Sequence, residues 1–241
     1  MKISVVVPAF NEEKFLGETL TRIKAAACAF TKVGWEWELI VCDNNSNDRT
    51  ADVARVGGAT VVFEPVNHIS RARNSGAAAA TGDWLVFVDA DSHPSADLFA
   101  DMAKEIQSGD CIGGGATFRW DHKRFTYELM TPILNAGFRW RRLAHGSFLF
   151  VQSAVFRKLG GFSLETYCGE DWELSLRLQT LAKETGKRLV ILHRHPIVTS
   201  ARRMKGYSPL RPFTVLFHTI FVPRRIKFSR EKASRWYDGQ R

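Results

Sequence analysis

Four short apolar runs, residues 3–7 (ISVVV), 38–42 (ELIVC), 59–63 (ATVVF) and 84–88 (WLVFV), constrain what this chain can fold into more than any other feature. They are rich in Val and Ile and almost continuously hydrophobic. Strands buried on both faces of a parallel sheet look like this. The segments between them have a helical period. After Asn11, which reads as an N-cap with Glu12 and Glu13 in the first turn, Leu16, Leu20, Ile23, Ala27 and Phe30 recur on one helical face. A second helix is predicted from Asp48 to Val56, stopped by Gly57 and Gly58. A third starts near Ser70 and runs through the alanines to Gly82. This alternation predicts an α/β fold with a mostly parallel central sheet and helices on both faces. Ligands of such sheets bind outside the carboxyl ends of the strands. The second half is less regular, with helices expected near 95–107, 127–140, 153–159 and 170–183 and strands near 112–118, 147–151 and 188–192. Residues 1–205 read as one domain and 206–241 as an extension.

The loops that follow the early strands are polar and acidic. Pro8-Ala9-Phe10-Asn11-Glu12 follows the first, Asp43-Asn44-Asn45-Ser46-Asn47-Asp48 the second, and Asp89-Ala90-Asp91 the fourth. Turn and cap chemistry explains any one of these, since Asn, Asp and Ser are favoured there. Three together at one sheet edge point to a ligand. Asp89 and Asp91, two apart in an extended segment, face the same side and repel unless a cation or donors neutralise them. A hard divalent ion, held by one or two carboxylates and completed by water and phosphate, suits such a pair. Arg71 and Arg73 open the third helix, where an anion is well received, or else face solvent. Glu170 and Asp171 start a later helix, and on that stretch alone they read as favourable capping acids.

The net charge of +9 suggests an anionic partner or merely a basic surface. Cys28, Cys42, Cys111 and Cys168 lack metal-ligand spacing; Cys28 and Cys42 read as core thiols, and a reducing, cytoplasmic setting is expected. A strand begins almost at the first residue, so no signal peptide is expected. No apolar run approaches the length that spans a bilayer.

The stretches "VVVPAFNEE", "VCDNNSNDRT", "ARNSGAAAATGDWLVFVDAD", "KLGGF" and "GEDWELSLRL" follow one another over about residues 2–203. In this order and spacing they resemble the family 2 glycosyltransferases of the GT-A fold. The resemblance implies an inverting transfer of a sugar from a nucleotide-sugar, with Mg2+ or Mn2+ as cofactor. It implies that Pro8, Phe10 and Glu12 line the nucleotide pocket and that Asp43 bonds the base, most often uracil. Arg73 would lie near base and phosphates, Asp89 at the ribose, and Asp91 on the metal. Asp171, of the Glu170–Asp171 pair, would be the general base, which reverses the capping reading. His195 would be a further metal ligand, with His193 as alternate and a structural role for both left open; His93 is unassigned. The chemistry suits these residue types. A leaving nucleoside diphosphate gains charge that a cation stabilises, the sugar passes through an oxocarbenium-like state, and a separate carboxylate takes the acceptor's proton.

Two departures matter. The second loop reads Asp-Asn-Asn-Ser where many members have Asp-Asp/Gly-Ser. The Gln-x-x-Arg-Trp motif of processive synthases is absent, its nearest match being Lys232-Ala233-Ser234-Arg235-Trp236, so transfer of a single sugar is expected. Residues 211–227 (RPFTVLFHTIFVPRRIK) set an apolar stretch between arginines. They suggest a peripheral enzyme on the inner, anionic face of a membrane with a lipid or lipid-linked acceptor, or else packing on the core or on a second subunit in a homodimer. Arg202 and Arg203 either close over the diphosphate or face solvent. The competing readings are a nucleotidyltransferase or other nucleotide-binding α/β enzyme, which usually carries a Gly-rich loop after the first strand, and a basic nucleic-acid binder. Acids crowding the strand ends argue against nucleic acid as a partner.

Overall fold

The structure, a computed structural model, describes residues 1–122, 124–165 and 169–202. The expected extension, 206–241, lies outside the described residues, as do Cys168 and Arg203. The chain runs β1 (Lys2–Ala9), α1 (Leu16–Ala26), α2 (Cys28–Lys32), β2 (Glu36–Asp43), α3 (Thr50–Val56), β3 (Thr60–Phe63), α4 (Ile69–Ala79), β4 (Trp84–Val88), β5 (Ser92–His93), α5 (Ala96–Gln107), β6 (Cys111–Trp120), α6 (Phe125–Arg141), β7 (Phe148–Gln152), α7 (Ser153–Lys158), α8 (Glu170–Glu184) and β8 (Arg188–Thr199). The strands form one sheet in the order β3-β2-β1-β4-β7-β6-β8-β5.

Strands β3, β2, β1 and β4 run parallel, β7 runs antiparallel to β4 and β6, β8 is parallel to β6, and β5 is antiparallel to β8. The sheet is therefore mixed, with four of its seven strand pairs parallel. Between β1 and β4 the strand order reverses, which opens a crevice at the carboxyl ends of these two strands.

Side chains alternate across the sheet as a period of two requires. Val5, Val7, Val86, Val88, Phe148 and Phe150 join one core with Leu16, Leu20, Ile23, Phe30, Leu98 and Phe99 of α1, α2 and α5. Val6, Leu85, Phe87, Leu149 and Val151 join the other with Ala77 of α4, Phe156 of α7 and Leu174 and Leu178 of α8. Helices thus cover both faces. A Cβ on Gly76 would meet Val6 Cγ1 at 2.5 Å, so glycine lets α4 lie close on β1.

The structure corrects the expected elements in four places. Asn11 is no N-cap: it adopts φ 53°, donates its N–H to Ser46 Oγ and accepts from Asn47 N, tying the first loop to the second. α1 starts only at Leu16, and Ala27 separates it from α2, which carries Phe30. β3 is not buried on both faces, because it is the edge strand, and Phe63 is exposed. Finally, Cys42 is buried but Cys28 is only partly so. β5, two residues long, is too short for any periodicity to announce.

Candidate active site

The loops after β1, β2 and β4 meet above the crevice. The first two are held by each other's polar groups. Glu12 N–H donates to Thr50 Oγ1 (2.7 Å), Glu13 N–H to Asp48 Oδ2 (3.1 Å), and Asp43 Oδ1 accepts from Ser46 N (3.1 Å). Turn chemistry therefore accounts for Asp48 and for one oxygen of Asp43. Pro8 pairs in register with Cys42 and Ala9 with Asp43, and partly buried Phe10 begins the loop just beyond them. The third loop is pinned from below, where Thr19 Oγ1 of α1 donates to the Ala90 carbonyl (2.8 Å) and Ser200 N–H to that of Asp91 (3.2 Å).

Two charge clusters occupy the crevice. The first centres on Arg73, in the second turn of α4 and almost fully buried. Its Nη1 donates to Glu170 Oε1 (2.5 Å), and its Nη2 to Asp89 Oδ1 (2.9 Å) and to the Gly146 carbonyl (3.1 Å). Burial works against this charge, but Asp89, Glu170 and Asp171 more than offset it and raise the guanidinium pKa further. Asn74, the next residue, exchanges two hydrogen bonds with the Phe162 backbone (2.9 Å each) and locks the Gly160-Gly161-Phe162 turn to α4.

Asp171 sits beside this cluster in the first turn of α8, after Gly169 in the left-handed conformation. Its Oδ1 accepts from Trp172 N (2.8 Å), and its backbone carbonyl accepts from Ser175 Oγ (2.7 Å), which in turn accepts from Ala144 N (3.0 Å). Burial, and then the charge of Glu170, push its carboxyl up to about 7, with Arg73 pulling the other way. A buried carboxylate poised near neutrality is suited to receiving a proton. A Cβ on Gly146 would stand 3.1 Å from Arg73 Nη2 and 3.2 Å from Asp171 Oδ2, so a side chain here would crowd both.

The second cluster joins Asp91, Glu12 and Arg202. Arg202 Nε donates to Asp91 Oδ2 (3.0 Å), Nη2 engages both Glu12 oxygens, and the guanidinium lies 4.2 Å from the centre of the Phe15 ring. Here too burial opposes the charge, and Asp91 and Glu12 raise the pKa. Arg202 thus does not face solvent but turns inward to carboxylates. Two nearly buried acids converging on one cationic position are hard oxygen donors suited to Mg2+ or Mn2+. Among the described residues no group of three or more His, Cys, Asp or Glu stands ready to hold a metal. The donor set therefore fits an ion shared with a substrate phosphate and not a closed protein cage.

The structure brings Glu12, Arg73, Asp89, Asp91, Glu170 and Asp171 together, but it does not bring His195 to Asp91. His195 Nδ1 lies 3.0 Å from Asp101 Oδ2 of α5. It is Ser200, at the end of β8, that meets Asp91, and an extended strand carries His195 about 16 Å back from there. His193 is exposed on β8, and His93 pairs through its backbone with Val198. Sequence reasoning missed His145. Its ring stacks on Phe118 (4.7 Å), its Nδ1 is 2.7 Å from Ser147 Oγ, and burial holds its pKa down at about 4 against the charge of Asp89. His145 is therefore a neutral imidazole beside the charged cluster. It falls in a turn with no periodic signal.

Residues 4–162 match the family described as Glycosyl transferase family 2. The chain belongs to that family. A PGL/p-HBAD biosynthesis glycosyltransferase of Mycobacterium tuberculosis is 25% identical over 220 residues, covering 85% of this chain and 78% of its own length. Among solved structures, Staphylococcus aureus TarS 1–349 in complex with UDP-GlcNAc superposes with a TM-score of 0.67 at 20% identity, covering 99% of this chain and 73% of that one. The Pyrobaculum calidifontis mannosyltransferase in complex with GDP-Man and Mn2+ gives 0.60 at 21%, covering 90% and 68%. The fold is GT-A, and the protein is a glycosyltransferase. Among the described residues, no helix is long and apolar enough to cross a membrane.

Proposed function

We propose that this glycosyltransferase moves one sugar from a nucleoside-diphosphate sugar, with UDP as the first nucleotide to test, to an acceptor hydroxyl with inversion at the anomeric carbon. The observation that carries the reading is geometric: the buried Asp171 carboxyl lies at the carboxyl edge of the sheet beside the Arg73–Asp89–Glu170 cluster, where burial raises it above the usual carboxylate range. In this reading Asp171 accepts the acceptor hydroxyl's proton as that oxygen attacks. Glu170, fixed on Arg73, keeps Asp171 basic by like charge. Asp89, oriented by Arg73, receives the ribose hydroxyls. Pro8, Phe10, Glu12 and Asp43 border the nucleotide, with the base against Asp43. Asp91 would hold Mg2+ or Mn2+, which would supply charge stabilisation for the departing diphosphate. Arg202, on Asp91 and Glu12, would compete with the ion there, and a released guanidinium would be free to turn to the diphosphate. The UDP- and Mn2+-bound structural neighbours support nucleotide and metal as the ligands to try first.

The test has two arms. In thermal-shift titrations with UDP and Mn2+ the wild type is stabilised and Asp91→Asn is not; equal stabilisation by NAD or an oligonucleotide would count against the reading. In a sugar-nucleotide panel Asp171→Asn binds UDP with Mn2+ like the wild type but loses transfer. Loss of UDP binding instead would remove Asp171 from the role of base.

A further inference from the structure

Helix α6 is apolar on two opposite sides. Tyr127, Met130, Leu134, Gly137 and Phe138 form its buried face. Phe125, Leu129, Ile133 and Trp140 are 81%, 57%, 44% and 77% exposed, and with Pro132 and Ala136 they make a second stripe facing solvent. At 100° per residue the stripe spans roughly a third of the helix circumference, centred opposite the buried face. Solvent-facing residues on a surface helix are normally polar, and a contiguous apolar patch marks an interaction site. Charge decides between occupants. Exposed Arg124 precedes the helix, exposed Arg139 and Arg142 bracket Trp140, and Glu128 is the one acid in α6. A second copy seated on the stripe would face these arginines with their equivalents and little acid to offset them. An anionic lipid surface complements both the apolar stripe and its arginines.

We propose that α6 lies in the interface of an anionic membrane, with Phe125, Leu129, Ile133 and Trp140 in the acyl boundary and the arginines at the headgroups. The helix leads directly to the active site. Phe138 on its inner face packs on Trp172 (6.0 Å) and on His145 (5.7 Å), and the His145-Gly146-Ser147 turn follows its end. Docking through α6 would hold the crevice at the lipid surface. Resting on the transferase reading above, this makes a lipid-linked molecule the acceptor class.

The test is co-sedimentation of the full chain with phosphatidylcholine vesicles, with and without phosphatidylglycerol. The wild type should bind the anionic vesicles, and less so as salt rises. The exposed double variant Leu129→Ser/Trp140→Ser should bind at least about tenfold more weakly. Its UDP and Mn2+ thermal shift should be unchanged, so a failed transferase reading shows separately, as a missing shift in the wild type. The proposal is overturned if the double variant sediments like the wild type. It is also overturned if the full-length tail variant Phe217→Asp/Phe221→Asp loses vesicle binding while Leu129→Ser/Trp140→Ser keeps it. A wild-type dimer that Leu129→Ser/Trp140→Ser converts to monomer, with no vesicle binding by either, would assign the stripe to a second copy instead.

Discussion

The two acidic clusters of the crevice are only two residues apart at Asp89 and Asp91, yet they are neutralised in different ways. Asp89 and Glu170 share Arg73, a residue of a core-packed helix whose next neighbour is locked to the Phe162 backbone. Asp91 and Glu12 share Arg202, which lies just beyond β8. The first cation is built into the fold and cannot leave without stranding two buried acids, Glu170 and Asp171, and the partly buried Asp89. The second is held by side-chain contacts alone, on a side chain 16% exposed where that of Arg73 is 3%, and is the more readily exchanged for another cation. A site that must bind and release a charged substrate needs both kinds, a fixed charge to set geometry and an exchangeable one to make room.

The largest effect should come from breaking the fixed cluster. Arg73→Met leaves Asp89, Glu170 and Asp171 in a buried site with no cation, and removing one partner of a buried ion pair costs about 3–5 kcal/mol. Urea unfolding at pH 8 should show that loss; a loss below about 1 kcal/mol would mean the cluster is solvated and its rigidity overstated. Within the same cluster, Asp171→Asn should lower transfer by roughly two to four orders of magnitude, the range for a lost general base. It should also raise stability. The Asp171 carboxyl goes from an ordinary 3.8 to about 7 on folding, so the native state holds an extra proton between these values. Stability from this group is full below 3.8 and is lost as pH rises through 7. At pH 8 the neutral amide escapes that cost, and Tm should rise by roughly 3 °C or more. Wild-type transfer should run the other way, rising with pH and half-maximal near 7. A rate independent of pH from 6 to 8 would exclude Asp171 as the titrating base.

The contrast between the clusters also explains what the sequence made legible. β1, β2 and β4 are local patterns of apolar residues, and the acids at their ends follow in the next few positions, so strand ends, loops and the Asp89–Asp91 pair were readable from spacing. Glu170 and Asp171 were not. They lie far along the chain, and as helix-start acids their local context favours capping; only the resemblance gave them a role. His145 and Gly146 matter through what packs against them, a property no local pattern carries. The resemblance offers His195 as a metal ligand, but β8 is twelve residues long and it is Ser200, just past its far end, that reaches Asp91. Asn11 was read as a cap because Asn before a helical period usually is one; here the second loop claims its side chain first.

The exchangeable cluster should respond more gently, and in the opposite sense for binding. Asp91→Asn should abolish the Mn2+ dependence of UDP binding while costing less stability than Arg73→Met, since Glu12 still pairs with Arg202. Arg202→Gln should also cost less stability than Arg73→Met, because the Arg202 side chain is 16% exposed where that of Arg73 is 3%. Its effect on the ion has a definite sign. In the wild type Arg202 occupies Asp91 Oδ2 and both Glu12 oxygens, so an incoming Mn2+ would compete with it, and the free energy of those contacts would be subtracted from binding. Without the arginine, Asp91 and Glu12 lose the competitor of an ion, so Mn2+ titrated alone, in the absence of nucleotide, should bind several-fold more tightly. If Arg202 instead bonds the diphosphate after it swings away, UDP with saturating Mn2+ should bind more weakly to the same variant. Tighter ion and weaker nucleotide together identify an arginine that exchanges between two sites. Unchanged Mn2+ affinity would show that Arg202 and the ion do not compete, and the two clusters would then both be fixed parts of the fold.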